Sequence, residues 1–408
     1  MQESPLVLGI DLGTSGVRIA LININYELIY FSSSEYSIGL QKCEDWKNSC
    51  RELIKNIPSK KKERIIACSI DGTSGTLMGC DYNGKSLGDA LPYFDSCIAE
   101  QNAIQKKYKN LNLASGFGRA SKLINKFGDE ILLRHQADWI SGWLLNDWTF
   151  GEEGNNLKLG WKIVEGIWPQ EIHQLNWQNK LPKILPSGKS FGKIALNRAK
   201  ELNLPKETEI ISGTTDSNAS VIATGSSLSE GVTVLGSTIV IKSFVKTPIN
   251  CPGVTTHRVG NRWLCGGASN AGCAVLKRFF NDKDLVELSR QINPESDSGL
   301  MFRPLTFQGE RFPINDPYLE PILEPRPVSD SLFLHGILEG LARIEAQGWE
   351  KFKSMNVEIP KKIITIGGGA GNPQWRRIRE RLIGIPIRTC SKQAAEGVAR
   401  LALQSLTR

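Results

Sequence analysis

The stretch LVLGIDLGTSGVRIALININYELIY, residues 6–30, sets a polar turn between two runs of strand-forming residues. Its turn, DLGTSG at residues 11–16, combines a carboxylate, two hydroxyls and two glycines, a mixture that a single buried strand does not favour. Glycine lets a bulky anion approach successive backbone N–H groups, and Asp11 supplies the hard oxygen that Mg²⁺ prefers. The stretch therefore predicts a β-hairpin whose turn holds phosphate and a metal ion, with an ordinary hairpin as the alternative.

Two more stretches follow the same order of strand, polar glycine turn and strand. They are IIACSIDGTSGTLMGCDYNGK at residues 65–85 and GVTVLGSTIVIKSF at residues 231–244. β-Branched residues dominate the flanks, and Gly, Ser and Thr fill the turns, so both stretches predict hairpins. The return of the pattern in the second half of the chain indicates a weak internal repeat.

Helical periodicity is clearest at residues 331–355, where apolar side chains recur every three or four residues behind Ser329 or Asp330 as the N-cap. Residues 394–406 predict a C-terminal amphipathic helix. Residues 304–327 contain six prolines and predict a mostly extended loop. Because strands and helices alternate along the chain, the sequence predicts an α/β fold.

The composition excludes several classes of protein. The chain has 408 residues and a net charge of +8, which fits two domains and an anionic small-molecule partner. The densest basic run, residues 375–384, is interpreted as a solvated helix face, so we expect no nucleic-acid partner. Nine cysteines without a C-x-x-C pair, together with no signal-like start, predict reduced thiols in the cytoplasm. Four isolated histidines argue against zinc, and no apolar run is long enough to span a membrane.

A candidate general base lies in EIISGTTDSNASVIATG, residues 209–225, which predicts a short buried strand, a polar turn and a helix. Asp216 falls in the first turn of that helix, where the helix N-terminus favours a negative side chain. An ionised carboxylate is what a general base needs to accept a proton from a hydroxyl. A plain capping role at the start of the helix is the alternative.

Two other stretches could bind substrates. IITIGGGAGNPQWRR, residues 363–377, predicts a strand, a triple-glycine turn and a helix, where small residues admit a flat ring and Asn372 offers an edge hydrogen bond. It lacks the spacing of the dinucleotide fingerprint, and GKS at residues 188–190 lacks the context of a Walker loop. RHQADWISGWLLNDW, residues 134–148, sets Asp138 beside Trp139, a pair that suits a sugar, although core packing explains the tryptophan equally well.

Together and in this order, these segments resemble the FGGY family of carbohydrate kinases, over nearly the whole chain. GIDLGTSGVR resembles the family's first phosphate turn, VLGSTIVI its second, and GTTDSNAS the segment with the catalytic aspartate. GERFPINDP at residues 309–317 resembles a further family block, and the glycine-rich segment from residue 367 resembles the adenosine motif. The resemblance implies an actin/hexokinase-like, ribonuclease H-like fold with two duplicated α/β lobes and an active-site cleft between them.

The resemblance also implies an ATP-dependent sugar kinase that uses Mg²⁺, with Asp216 as the catalytic base and with Asp11 and Asp216 at the metal. The residues implied to bind ATP are Gly13, Thr14, Ser15, Arg18, Gly236, Ser237, Thr238, Gly267, Gly368, Gly369 and Asn372. The residues implied to bind the sugar are Asp11, Ser74, Gly75, Asp138, Trp139 and Asp216. The implied lobes span residues 1–222, with the sugar site, and residues 223–393, with the ATP site, while residues 394–408 form a helix that could pack back on the first lobe.

This chain departs from the family pattern in the sugar pocket, where Ser74 and Gly75 stand in place of the Met-His or Arg-Glu pair of many members. Its short length, IDGTSGT and the segment HQADW…NNLKLGW most resemble the cyanobacterial and plant subgroup of D-ribulose kinases, or xylulose-kinase-like proteins. The implied acceptor is a ketopentose, D-ribulose ahead of D-xylulose, bound by a monomer or homodimer. The altered pocket also suggests a catalytically degenerate sugar binder. A nucleotide-dependent scaffold of the actin or Hsp70 kind is a further alternative, but it leaves Asp138, Trp139 and Asp216 unexplained.

Overall fold

The computed structural model describes residues 4–109 and 111–406, which their internal contacts divide into two compact units. The first unit runs to Ala223 and takes in Arg258–Asn261 and the chain from Lys392 onward. The second unit contains Thr224–His257 and Arg262–Ser391. In the described ranges, no helix is both long enough and apolar enough to cross a membrane.

Strands alternate with helices along the described chain, which confirms the predicted α/β class. The strands are β1 (Leu6–Leu12), β2 (Gly16–Asn23), β3 (Leu28–Glu35), β4 (Ile65–Gly72), β5 (Leu77–Cys80), β6 (Leu132–His135), β7 (Phe150–Glu152), β8 (Lys183–Leu185), β9 (Ser190–Lys193), β10 (Glu209–Thr215), β11 (Glu230–Leu235), β12 (Ile239–Val245), β13 (Val254–Val259), β14 (Arg262–Ala268), β15 (Lys362–Ile366) and β16 (Ile387–Thr389). The helices are α1 (Cys43–Lys55), α2 (Ser59–Lys62), α3 (Ile98–Lys107), α4 (Phe117–Phe127), α5 (Gln136–Leu145), α6 (Glu153–Asn156), α7 (Gln170–Gln174), α8 (Leu196–Leu202), α9 (Asp216–Ala223), α10 (Cys273–Leu276), α11 (Asp282–Ser289), α12 (Asp330–Ser354), α13 (Pro373–Ile383) and α14 (Ala394–Leu406). Short 3₁₀ turns lie at Leu157–Leu159, Gln178–Lys180 and Gly368–Gly371.

A six-stranded mixed sheet forms the centre of the first unit, in the order β3, β2, β1, β4, β10, β9. β1, β4 and β10 run parallel to one another, whereas β2, β3 and β9 are antiparallel to their neighbours. The three parallel strands are almost entirely buried, which explains their near-continuous apolar runs. Because these strands are adjacent and parallel, their carboxyl ends meet at the same end of the sheet.

The C-terminal helix α14 packs on this sheet and on α9. A Cβ added to Gly9 would lie 1.9 Å from the carbonyl oxygen of Ala395, and a Cβ added to Gly397 would lie 1.8 Å from that of Ala219. Glycine at both positions therefore lets the helix backbone come closer to β1 and α9 than any side chain would permit. The close approach buries apolar residues of α14 such as Leu403 against the sheet.

The second unit is built on another six-stranded sheet, in the order β13, β14, β12, β11, β15, β16. The long helix α12 contacts β12, α11 and α13. A buried ion pair joins α12 to α13, with Nε of Arg379 2.6 Å from an oxygen of Glu345. Thr233 of β11 donates a hydrogen bond to the same carboxylate, so the buried charges of this pair are compensated on several sides.

The two sheets share one arrangement, which confirms the predicted duplication. In each sheet an antiparallel hairpin, β1–β2 or β11–β12, is joined through its first strand to parallel strands. The first and third predicted hairpins are therefore confirmed, as are the helices predicted at residues 331–355 and 394–406. The second predicted hairpin was wrong. β4 already has β1 and β10 on its two sides, so the strand that follows, β5, pairs with β6 in a separate sheet.

Candidate active site

Three aspartates lie at the carboxyl ends of neighbouring strands in the first unit. Asp11 on β1 stands opposite Asp71 on β4, and Asp71 stands opposite Thr214 on β10. Asp216 is the first residue of α9, directly after Thr215 ends β10. The parallel register therefore brings the predicted base, Asp216, and the predicted metal ligand, Asp11, to the same end of one sheet.

Asp71 is the member of this group that sequence reasoning missed. It is 0% exposed, and in the described ranges no hydrogen-bond donor reaches either of its carboxylate oxygens. Burial raises its pKa well above the usual value, and the carboxylates of Asp11 and Asp216 raise it further. A signal was present in the sequence, because DGTSG at residues 71–75 repeats DLGTSG at residues 11–16 with one residue fewer.

Asp11 is also a buried acid, and burial raises its pKa. A protonated Asp71 can donate a hydrogen bond to it, and Arg18 lies beside it with Nη1 3.4 Å from Oδ2; both contacts lower the pKa in part. Carboxylates this close together favour a proton or a cation among them. The described ranges hold no set of three or more His, Cys, Asp or Glu side chains arranged to hold a metal. Asp11 and Asp216 are carboxylates that could contribute to a Mg²⁺ site of the usual kind, in which phosphate and water supply the other ligands.

Asp216 is half-buried, and its Oδ1 accepts a hydrogen bond from the backbone N–H of Ser217 at 2.6 Å. Two amides hold the end of the strand that precedes it. Nδ2 of Asn155 donates to the carbonyl oxygen of Thr214 at 3.3 Å, and Nδ2 of Asn218 donates to the hydroxyl of Thr214 at 3.2 Å. The carboxylate of Asp216 therefore projects from a firmly held strand end.

The turn between β1 and β2 has the form predicted for a phosphate turn. The N–H of Gly13 donates to the carbonyl oxygen of Gly16 at 2.9 Å, which closes the turn. Thr14 and Ser15 at its tip are exposed, so their hydroxyls can meet a ligand. Arg18 returns beside the turn, with Nη1 only 2.5 Å from where a Cβ on Gly13 would lie. Glycine at position 13 thus leaves room for the guanidinium group.

A buried hydrogen-bond chain connects this turn to the loop after β4. The hydroxyl of Tyr36 donates to the carbonyl oxygen of Gly13 at 3.1 Å, and Nε2 of Gln136 donates to Tyr36 at 3.1 Å. Oε1 of Gln136 accepts hydrogen bonds from the N–H and the hydroxyl of Thr73, at 3.2 and 2.8 Å. The first phosphate turn and the loop that carries Ser74 are therefore held in a fixed relation.

Ser74 lines a pocket of about 450 Å³ in the first unit, together with side chains that include Arg119 and Lys158. Gly75 lies next to it with a φ of +100°, a conformation that favours glycine. A Cβ on Gly75 would lie 3.4 Å both from Nη2 of Arg119 and from Cγ of Lys158. Ser74 and Gly75, the two positions at which this chain departs from the family pattern, therefore lie beside one pocket.

Asp138 and Trp139, which the sequence assigned to the sugar, lie in the core of the first unit. Each is 1% exposed. The two oxygens of Asp138 accept hydrogen bonds from the N–H of Glu152 at 2.8 Å and from Nδ2 of Asn156 at 2.9 Å, and the indole N–H of Trp139 donates to the carbonyl oxygen of Gly84 at 2.9 Å. Burial raises the pKa of Asp138 to about 7. Because the protein itself satisfies both side chains, we assign them to the fold rather than to a sugar site.

A larger pocket, of about 860 Å³, lies in the second unit. Five of the residues predicted to bind ATP line it: Gly236, Ser237, Gly368, Gly369 and Asn372. Thr238 belongs to the same turn as Gly236, and its carbonyl oxygen accepts the N–H of Gly236 at 3.1 Å. Lys277 and Arg290, which the motifs did not indicate, add positive charge to a wall that also contains Asp282, and Trp375 adds apolar surface. Small residues, apolar surface and cations in one concave site suit a flat ring that carries phosphates.

Two residues predicted to bind ATP have other partners. Gly267 is a buried residue of β14, and a Cβ there would lie 2.5 Å from the ring of Phe312, so the glycine makes room for that ring rather than for a nucleotide. Asn372 lines the pocket as the N-cap of α13, with Oδ1 accepting the N–H of Trp375 at 3.0 Å. Its Nδ2 donates to the hydroxyl of Ser289 at 2.8 Å. An edge hydrogen bond from Asn372 to a base would therefore compete with contacts that already exist.

Comparisons with known proteins show which family and which kinases the chain is similar to. Residues 231–406 match the C-terminal domain of the FGGY family of carbohydrate kinases. A xylulose kinase of Lactococcus lactis subsp. lactis is 24% identical over 412 residues, which covers 90% of this chain and 81% of that protein. In solved structures from Lactobacillus acidophilus, a gluconate kinase matches with a TM-score of 0.82 at 20% identity, and a ligand-bound xylulose kinase with 0.80 at 19% identity. Each match covers 99% of this chain and 90% of the other. Because kinases named for different sugars match almost equally well, these structures establish the fold and not the acceptor.

Proposed function

We propose that this chain, a sugar phosphotransferase whose residues 231–406 match the C-terminal domain of the FGGY family of carbohydrate kinases, transfers the γ-phosphate of ATP to a hydroxyl of a ketopentose, D-ribulose in preference to D-xylulose. The observation that carries this proposal is the strand register that sets Asp216 at the same sheet end as Asp11. A nucleophile-activating carboxylate beside a carboxylate suited to Mg²⁺ is the arrangement that phosphoryl transfer needs.

Asp216 is the general base in this proposal. Its position at the N-terminus of α9 favours the ionised carboxylate, which accepts the proton of the acceptor hydroxyl. The acceptor oxygen forms a bond to the γ-phosphorus while the bond from that phosphorus to the β,γ-bridging oxygen breaks, which leaves ADP. Magnesium, when bound, neutralises charge on the phosphates, and Asp11 and Asp216 are the residues that would hold it.

ATP binds the second unit in this proposal, with its adenosine in the pocket of about 860 Å³. The turn of Gly236, Ser237 and Thr238 offers backbone N–H groups and hydroxyls to the phosphates. The exposed hydroxyls of Thr14 and Ser15 provide a second set of phosphate contacts of the same chemical kind.

A ketopentose is supported by the pocket beside Ser74. Its volume of about 450 Å³ falls within the usual range for small-molecule sites. The segment with the small pair Ser74 and Gly75 resembles that of the D-ribulose kinase subgroup, and a relative named xylulose kinase is similar over most of the chain. All nine cysteines are free thiols, which supports a cytoplasmic location.

The test is a panel of ketopentoses, aldoses and polyols with Mg-ATP, scored by ADP release. We expect D-ribulose to give the highest kcat/KM. Asp216→Asn keeps the shape and removes the base, so kcat should fall by about 10²–10⁴-fold while calorimetry still shows ATP binding. Asp129→Asn, on the exposed surface of the same unit, is the matched control.

Two results would count against the proposal. An Asp216→Asn enzyme with more than about one hundredth of the wild-type kcat would exclude Asp216 as the base. Sugar binding by calorimetry without ADP release from any member of the panel would indicate a binding protein that has lost catalysis.

A further inference from the structure

The pocket beside Ser74 has a charge pattern that proton removal by Asp216 does not require. Its wall contains two cationic side chains, Arg119 and Lys158. Of the described residues that line it, none is Asp or Glu; the other polar ones are neutral. The charged hydrogen-bonding groups of this pocket, the guanidinium of Arg119 and the ammonium of Lys158, are therefore both donors.

Arg119 is held firmly in place with donor capacity to spare. Its Nη1 donates to the carbonyl oxygens of Tyr93 and Asp95, at 3.2 and 2.8 Å, and its Nη2 donates to that of Ser115 at 3.4 Å. The side chain is 3% exposed, and no acceptor in the described ranges reaches its Nε. Each Nη atom carries two N–H groups, so Nη2, which makes one long hydrogen bond in the described ranges, retains an N–H for an oxygen of a ligand in the pocket.

Glycine at position 75 keeps the space in front of both cations open. A Cβ there would already be 3.4 Å from Nη2 of Arg119 and from Cγ of Lys158, so a longer side chain would fill the approach to them. His135 lies behind the loop, with Nδ1 3.1 Å from the carbonyl oxygen of Thr76. Burial, with the charges of Arg119 and Lys158, lowers the pKa of His135 to about 3, so the histidine is neutral. The charged side chains that line the pocket are Arg119 and Lys158, and the charge of Asp95 also acts on Arg119.

We propose that Arg119 and Lys158 determine acceptor specificity by binding an sp² oxygen, either the carbonyl of a ketose or the carboxylate of a sugar acid, at the end of the acceptor away from the phosphorylated hydroxyl. This inference rests on the proposed sugar kinase function. Carbonyl and carboxylate oxygens only accept hydrogen bonds, whereas a hydroxyl also needs an acceptor for its own proton. Hydrogen bonds from charged donors are stronger than those from neutral donors. In this proposal Arg119 and Lys158 therefore select the acceptor in place of the larger side chains that many family members carry at positions 74 and 75.

The experiment compares three five-carbon acceptors that differ at C1 and C2: D-ribulose has a ketone at C2, D-ribonate has a carboxylate at C1, and ribitol has hydroxyls alone. In the wild type, KM or Kd for ribitol should exceed that for D-ribulose or D-ribonate by about tenfold or more. Lys158→Met should remove this preference by weakening the binding of the two sp² acceptors about tenfold, with KM for ATP unchanged. Lys162→Met, an exposed lysine outside the pocket, is the matched control.

A second variant, Arg119→Lys, keeps the charge but not the planar donors, and should give the same selective loss with the melting temperature used to check folding. Tight binding of either sp² acceptor over ribitol supports the proposal, and the tighter of the two identifies the end group. Equal binding of ribitol and D-ribulose by the wild type, or a Lys158→Met protein that behaves like Lys162→Met, would overturn it. Absence of phosphoryl transfer from the wild type would contradict the proposed function instead, and calorimetric Kd values for the three compounds would still test the pocket.

Discussion

Asp138 is a buried acid whose ionisation opposes folding, so asparagine at this position should change how stability depends on pH. Burial raises its pKa from 3.8 to about 7. Because the folded-state pKa lies above the unfolded one, the folded protein binds more protons between these two values. The free energy of unfolding therefore falls as the pH rises through that window.

The two pKa values give the size of the effect. Relative to the protonated acid, ionisation of Asp138 lowers the free energy of unfolding by about 0.6 kcal/mol at about pH 4 and by about 4 kcal/mol at about pH 7. Asp138→Asn cannot ionise and should lack this difference of about 3 kcal/mol. The new amide can still accept the N–H of Glu152 through its oxygen, but its NH₂ group would face the NH₂ group of Asn156, so that hydrogen bond is lost. The loss lowers the free energy of unfolding by about 1–3 kcal/mol at every pH.

The assay is urea denaturation of the wild type and Asp138→Asn between about pH 4 and about pH 7, followed by tryptophan fluorescence. Trp139 and Trp143 lie on the same helix as Asp138 and report on the first unit. The variant should gain about 3 kcal/mol relative to the wild type across this range. Asp129→Asn, at an exposed acid of the same unit, should show no such gain. A difference between Asp138→Asn and wild type that stays constant with pH would refute the reasoning.

Two further predictions concern the carboxylate cluster and the larger pocket. Asp71→Asn removes a buried carboxyl whose pKa is raised, and this carboxyl destabilises the wild type when it ionises. The free energy of unfolding of the variant, measured by urea denaturation, should therefore rise relative to that of the wild type as the pH goes from acidic to neutral. The opposite trend would contradict the placement of Asp71 among carboxylates. Gly369→Ala would set a Cβ 2.6 Å from the ring of Trp375, so KM for ATP should rise about tenfold with little change in KM for the sugar. An unchanged KM for ATP, or an equal change in both constants, would argue against the pocket as the ATP site.

Much of the fold follows from local patterns in the sequence. The periodicity at residues 331–355 predicted a helix that the structure has at Asp330–Ser354, because amphipathic spacing is a property of neighbouring residues. The hairpin predicted at residues 65–85 failed because strand pairing is decided by the whole sheet. The strand Ile65–Gly72 has a parallel neighbour on each side, and no local signal in the turn reveals that both sides are occupied.

The candidate site shows the same division. Asp11 and Asp216 were found because each lies in a short motif whose chemistry can be read locally. Asp71 was missed because an aspartate followed by a glycine is typical of an ordinary turn, and the sequence does not show that this aspartate is buried. Asp138 was assigned to a sugar because its partners, Glu152 and Asn156, follow 14 and 18 residues later and meet it only in the folded chain.

The buried acids of the first unit fall into two groups, structural carboxylates and a candidate functional one, which differ in their hydrogen-bond partners. Burial raises the pKa of Asp71, Asp138 and Glu152 alike, so neither burial nor pKa distinguishes them. Asp138 and Glu152 accept hydrogen bonds from backbone N–H groups and amides of the protein, so folding alone accounts for them. Asp71 accepts none in the described ranges, and Nε of Arg119 likewise donates none. Asp71 lies instead beside the carboxylates of Asp11 and Asp216, where a proton or a cation can compensate it, so its neighbours rather than its burial mark it as a candidate functional residue.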